Sequence, residues 1–99
     1  MHVGIVRIAL RAPNSHSLKD RRQVSRSLIQ RIRGRFNVSV AQEVEADGDA
    51  WQSVTLLASC VSSDANHADV VLNDLVEFIE KSRPDVELID YGTEVISGV

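Results

Sequence analysis

Lys19, Arg22, Arg26 and Arg33 are spaced three, four and seven residues apart. At about 100° per residue, such a set falls within about 60° of arc on one side of an α-helix. Arg21 joins Lys19 and Arg22 shortly after Ser15 and Ser17. A helix starting there carries cations near its N-terminus, where the dipole disfavours positive charge by about 0.3 kcal/mol or more apiece. A sequence selected for helix stability alone would place acids at that point. Free backbone N–H groups, two hydroxyls and three cations together suit a phosphate instead. We therefore expect an anion site of Ser15, Ser17, Lys19, Arg21 and Arg22, extended along the helix by Arg26 and Arg33. A nucleic-acid backbone presents phosphates in such a row. Engaging about four to six of them would give log K a slope of about −3 to −5 against log salt.

The charge distribution points the same way. Nine of the eleven Lys and Arg residues lie in the first 35 positions against one acid, a net of +8. The remaining 64 positions hold two cations and thirteen acids, a net of −11, so the overall −3 conceals a cationic segment. Such asymmetry between halves suggests an anionic partner. A competing reading is a solvated surface, or one neutralised internally by Asp69, Asp74, Glu77 and Glu80 on a second helix.

His2 to Arg11 alternates as a strand, with Gly4, Val6, Ile8 and Leu10 on one side and Val3, Ile5, Arg7 and Ala9 on the other. Pro13-Asn14-Ser15 interrupts it. Ser17 caps a helix, with Asp20 as a short capping-box partner. The apolar stripe of this helix is Leu18, Val24, Leu28, Ile29 and Ile32, and Gly34 is expected to end it in the left-handed conformation. Phe36 to Glu45 alternates as a second strand, with Phe36, Val38, Val40 and Val44 inward, and Asp47-Gly48-Asp49 reads as a turn. Gln52 to Ser62 is apolar on both faces, as a central strand would be. Asp64 caps a helix from Ala65 to about Ser82, with Ala68, Val71, Leu72, Leu75, Phe78 and Ile79 buried. Pro84 ends it, and Val86 to Ile96 forms a fourth strand.

This order, β-α-β-β-α-β, is the ferredoxin-like α+β arrangement: a four-stranded antiparallel sheet with two helices on one face. A chain of 99 residues with 43% hydrophobic residues suffices for one domain spanning residues 1–99. The single cysteine, Cys60, lies in an apolar run and reads as buried. No apolar stretch reaches the roughly 18 residues needed to span a bilayer, and Arg7 and Arg11 interrupt the first apolar run, so a cytoplasmic protein without membrane association is expected.

The segments Ser17-Leu18-Lys19-Asp20-Arg21-Arg22 and Arg35-Phe36-Asn37-Val38-Ser39-Val40-Ala41, followed by Trp51-Gln52, resemble the YlxP-like family of small bacterial proteins, a domain of unknown function. Ser62-Ser63-Asp64 and His67 also fit, so the resemblance spans nearly the whole chain. It implies a ferredoxin-like fold and no established activity. Genes of such proteins often lie beside those for translation initiation and ribosome maturation, which implies a link to ribosomal RNA. One departure stands out: the family usually has Glu directly after Ser-Val-Ala, whereas here Gln42 precedes Glu43.

Other chemistries find less support. Acylphosphatases share this size and topology, but their glycine-rich, Arg-containing loop has no counterpart in Arg11-Ala12-Pro13-Asn14-Ser15. His2, His16 and His67 are scattered, without the clustered spacing of metal ligands, and no nucleophile–base pair is recognisable. No catalytic residue, metal or cofactor is expected. The uncovered sheet face should present Val3, Ile5, Arg7, Thr55, Leu57, Ile89 and Tyr91, too few aromatics for base stacking on the sheet itself. The expected function is non-enzymatic binding of RNA, ribosomal RNA by what the resemblance implies, or association with the ribosome through the first helix. The alternative is a homodimer or protein-interaction module pairing through the open sheet face.

Overall fold

Strand β1, His2–Arg11, buries Gly4, Val6, Ile8 and Leu10 and turns Ile5, Arg7 and Arg11 outward. It is the first element of a computed structural model that describes residues 1–43 and 51–98. Helix α1 covers Leu18–Arg35, β2 Ser39–Gln42, β3 Ser53–Ser62, α2 Ala65–Ser82 and β4 Glu87–Ile96. The strands form one sheet in the order β2-β3-β1-β4, every neighbouring pair antiparallel. This is the ferredoxin-like arrangement. β1 and β3 pair along their full length, from His2 opposite Ser62 to Arg11 opposite Ser53, and form the spine.

The core lies between this sheet and the helices. Ile8, Leu56, Leu28, Ile32, Leu72, Leu75 and Ile79 are all no more than 1% exposed. Each such side chain contributes about 1.5–3 kcal/mol of burial. Cys60 is buried among them, its Sγ 3.9 Å from the Ala68 carbonyl. Gly4 sits where α2 comes closest to β1, and a Cβ there would lie 3.0 Å from Leu72 Cδ1 and 3.1 Å from Cys60 Sγ. The glycine is what lets α2 seat on the central strand.

Several local expectations are corrected. Gly34 does not terminate α1: among the described glycines only Gly98 has positive φ, and the helix continues to Arg35 before Phe36 turns extended at φ −120°. Leu18, at the first position of α1, is 39% exposed, because the helix has not yet reached the sheet there. The second strand is shorter than its alternation suggests. The Phe36 N–H still bonds the Ile32 carbonyl at 2.8 Å, and its ring packs edge-on against Phe78 with centroids 5.5 Å apart. Residues 36–38 are thereby held against the helices, and the ladder with β3 begins at Ser39. Val44 and the Asp47-Gly48-Asp49 turn lie outside the described residues.

In β4 the register with β1 shifts between Ala9 and Leu10: Ala9 faces Asp90, but Leu10 faces Leu88, leaving Ile89 as an extra residue. A bulge reverses the side-chain phase beyond it. Tyr91 therefore pairs with Ile8 and stands on the helix-covered side, not on the open face.

Candidate nucleic-acid interface

The first turn of α1 is built by a reciprocal cap. The Ser17 hydroxyl accepts from the Asp20 N–H at 3.1 Å, and the Asp20 carboxylate accepts from the His16 N–H at 3.0 Å. Such a cap satisfies donors that the helix start otherwise leaves open. Its consequence for an anion is direct. Ser17 is committed to the cap, and the Asp20 carboxylate already occupies part of the approach. Ser15 is 3% exposed, and its hydroxyl donates to the Ser17 carbonyl at 3.4 Å. The structure thus takes Ser15 out of the expected surface and makes it part of the loop that delivers the helix. Arg21 is half-buried on the sheet-facing side, near Ser25, whose hydroxyl donates to the Arg21 carbonyl at 3.1 Å.

Lys19, Arg22 and Arg26 are exposed along one side of α1. Among the described residues, the ion pairs are Arg7–Glu43, Arg11–Glu87, Lys81–Glu77 and Arg83–Asp85. None involves α1. No described carboxylate therefore lies within ion-pair distance of Lys19, Arg22 or Arg26. Arg33 shares their side of the helix, but its guanidinium donates to the Val40 carbonyl at 3.3 Å and ties α1 to the edge strand β2. Arg31 donates to the Ser82 carbonyl at 2.5 Å, and the Arg35 guanidinium lies 5.3 Å from the centre of the Phe78 ring. The late-helix cations are thus engaged in docking α1 against its neighbours, and three cations are left with no partner of this kind.

The acids of α2 do not reach across. Glu77 pairs with Lys81 one turn away at 2.7 Å, and this ammonium holds the Glu77 carboxyl below its usual range. Asp69, Asp74 and Glu80 stay exposed on α2.

On the opposite side of the sheet, Ile5 is 36% and Val61 69% exposed, and Leu57 is half-buried. Arg7 bridges there to Glu43 at 2.8 Å. Because Ala41 pairs with Leu57 and Gln42 with Leu56, the carboxylate at 43, not the amide at 42, belongs to this face. Thr55, expected on display, is 3% exposed. His2 Nδ1 lies 2.7 Å from the Ser97 hydroxyl, far along the chain from His16 and His67. No helix among the described residues is long and apolar enough to cross a membrane.

A small α+β domain with a cationic helix side is thereby defined, and comparison with known proteins agrees on the fold. Residues 3–93 match the family described as Protein of unknown function (DUF503), and the chain belongs to that family. No curated protein matches it. Among solved structures it is similar to the de novo designed protein Foldit4, at 11% identity and a TM-score of 0.55 with both chains covered completely. It is also similar to a de novo designed protein with ferredoxin fold, LFR1 1, at 16% identity and a TM-score of 0.51, covering 100% of this chain and 88% of that one. These likenesses concern the fold alone.

Proposed function

We propose that this is a cytoplasmic, non-enzymatic RNA-binding protein that lays the exposed side of α1 along a phosphate backbone. The observation that supports the reading is the set Lys19, Arg22 and Arg26, exposed and without a carboxylate partner among the described residues. A solvent-facing cation gains little from staying unpaired, whereas three in a row release counter-ions when they meet phosphates. Arg33 shares that side of the helix at its far end, while Arg21 lies half-buried toward the sheet and stands outside the row. Ser17 contributes by holding the helix start in place. The resemblance of Ser17–Arg22 and Arg35–Ala41 to YlxP-like bacterial proteins, with their gene neighbourhood, favours ribosomal RNA as the ligand. A salt titration of RNA affinity tests the reading. With three contacts the slope of log K against log salt is about −2 on single strands and about −2.7 on duplex. A slope of zero refutes it.

A second reading rests on the open sheet face, where Ile5, Val61 and Ile96 are 36%, 69% and 44% exposed. Three strands about 33 Å long and the short β2 of about 13 Å, spaced about 4.8 Å apart, offer about 540 Å² per copy, or about 1,100 Å² for a pair. That clears the roughly 1,000 Å² a specific interface needs, so the occupant we assign is a second copy of the chain. Sedimentation across a concentration series should show a dimer that Val61→Lys dissociates. A monomer throughout refutes this arrangement and leaves the RNA reading intact.

A further inference from the structure

The side of α1 can hold phosphates, but it carries nothing that would engage a base. A cavity of about 580 Å³ opens beside the start of the same helix, where β1 ends and β3 begins. Its volume lies within the range of about 300–1,000 Å³ typical of small-ligand sites. Trp51, His16, Arg11 and Ile89 wall it, and Ala9 and Ser53 form part of its sheet side. Trp51 is the only tryptophan of the chain and is 44% exposed, while Ile89 is 59% exposed. The bulge that flips Tyr91 away is also what places Ile89 here. An indole left half in water at the mouth of a cavity is a stacking platform with little rotamer entropy to lose.

The polar groups are held in place. The Arg11 guanidinium donates to Gln52 Oε1 at 3.3 Å and lies 3.7 Å from the Glu87 carboxylate, yet its side chain stays 52% exposed. Gln52 is anchored in turn by donating through Nε2 to the Pro13 carbonyl at 3.1 Å. His16, on the wall of the cavity, lies two residues before the first residue of α1, so the cavity is close in the chain to the start of that helix. A ligand made of phosphate alone has no use for Trp51 and Ile89, and an aliphatic ligand has none for Arg11 and Ser53. A planar ring with polar edges, attached to a phosphate chain, uses all four.

We propose that this cavity takes one unstacked nucleobase from a single-stranded segment of the RNA whose phosphates lie along α1. The base stacks on Trp51 with Ile89 at its side, and Arg11 and the Ser53 hydroxyl meet its polar edge. This rests on the reading of α1 as a phosphate ridge. It implies a preference for single strands over duplex, whose bases are already stacked.

Trp51 fluorescence tests it directly. The full chain is titrated with a short oligouridylate, with a duplex RNA of the same length and with inorganic phosphate at constant ionic strength, while anisotropy of labelled RNA reports binding independently. The expected result is quenching that saturates together with anisotropy for the single strand only. Trp51→Ala should weaken single-strand binding about 5- to 150-fold and leave duplex binding unchanged. Trp51→Phe should retain most of the affinity. Ile89→Asp, a variant outside the tryptophan, should reproduce the single-strand loss with a native circular dichroism spectrum. RNA binding with unaltered Trp51 emission, or Trp51→Ala binding like the wild type, overturns the base pocket and spares the ridge. Quenching by phosphate alone also overturns it. Absence of RNA binding by anisotropy at low salt removes both readings.

Discussion

Neutralising Arg22 and Arg26 tests the ridge most directly. Both are exposed, neither has a described carboxylate partner, and neither makes a contact that the fold depends on. Each phosphate contact contributes about 0.9 to the salt slope on duplex and about 0.7 on single strands. Near 0.1 M salt, one logarithmic unit below the 1 M reference, each lost contact therefore weakens binding by about 0.7–0.9 log units. The double variant Arg22→Gln/Arg26→Gln should bind about 25- to 60-fold more weakly, and its slope should fall to that of the one remaining contact. Anisotropy of labelled RNA across about 50–200 mM salt measures both quantities. Lys81→Gln is the control, since Lys81 is 74% exposed but lies on α2 and is already paired with Glu77. The melting temperature should stay close to that of the wild type for all three substitutions, as expected for solvated positions. The reasoning fails if the double variant keeps its slope, or if Lys81→Gln loses as much affinity as Arg22→Gln.

Two further predictions concern the scaffold. Gly4→Ala places a Cβ 3.0 Å from Leu72 Cδ1, 3.1 Å from Cys60 Sγ and 3.4 Å from the Ala68 Cβ, so it should cost about 1–3 kcal/mol. A thermal melt above that of the wild type would refute the close seating of α2 on β1. Asp85 accepts from Arg83 Nε at 2.9 Å and from its terminal nitrogen at 2.7 Å, and these hydrogen bonds lower its pKa from 3.8. The folded carboxylate binds protons less readily than the unfolded one, so its stabilisation is present above 3.8 and is lost as pH falls through the lower folded value. With the Asp85 side chain 44% exposed, the pair is worth less than about 1 kcal/mol. Asp85→Asn should melt slightly below the wild type at neutral pH and converge with it on acidification; a gap that widens in acid contradicts the sign.

The elements were largely legible in the sequence. β1 and α2 run over His2–Arg11 and Ala65–Ser82, as alternation, the Asp64 cap and the helical stripe imply. The Ser17 cap and its Asp20 partner form as their spacing suggests, because such a cap involves only neighbouring residues. Where expectations failed, a distant partner had intervened. Phe36 left the second strand for the ring of Phe78, and Gly34 stayed helical because α1 docks through Arg31 and Arg33 just before it and Arg35 just after it.

The interface divides the same way. Segregation of charge and the shared helical side of Lys19, Arg22, Arg26 and Arg33 follow from residue order and a fixed helical pitch, so the sequence alone determined them. Which of those cations remain available was decided only by packing, which ties Arg33 to the Val40 carbonyl and leaves the other three without such a tie. The cavity of Arg11, His16, Trp51 and Ile89 gathers positions up to 78 residues apart through the pairing of β1 with β3 and β4 and the bulge at Ile89. No local periodicity encodes it, because strand register and bulges depend on which distant segments meet in the sheet.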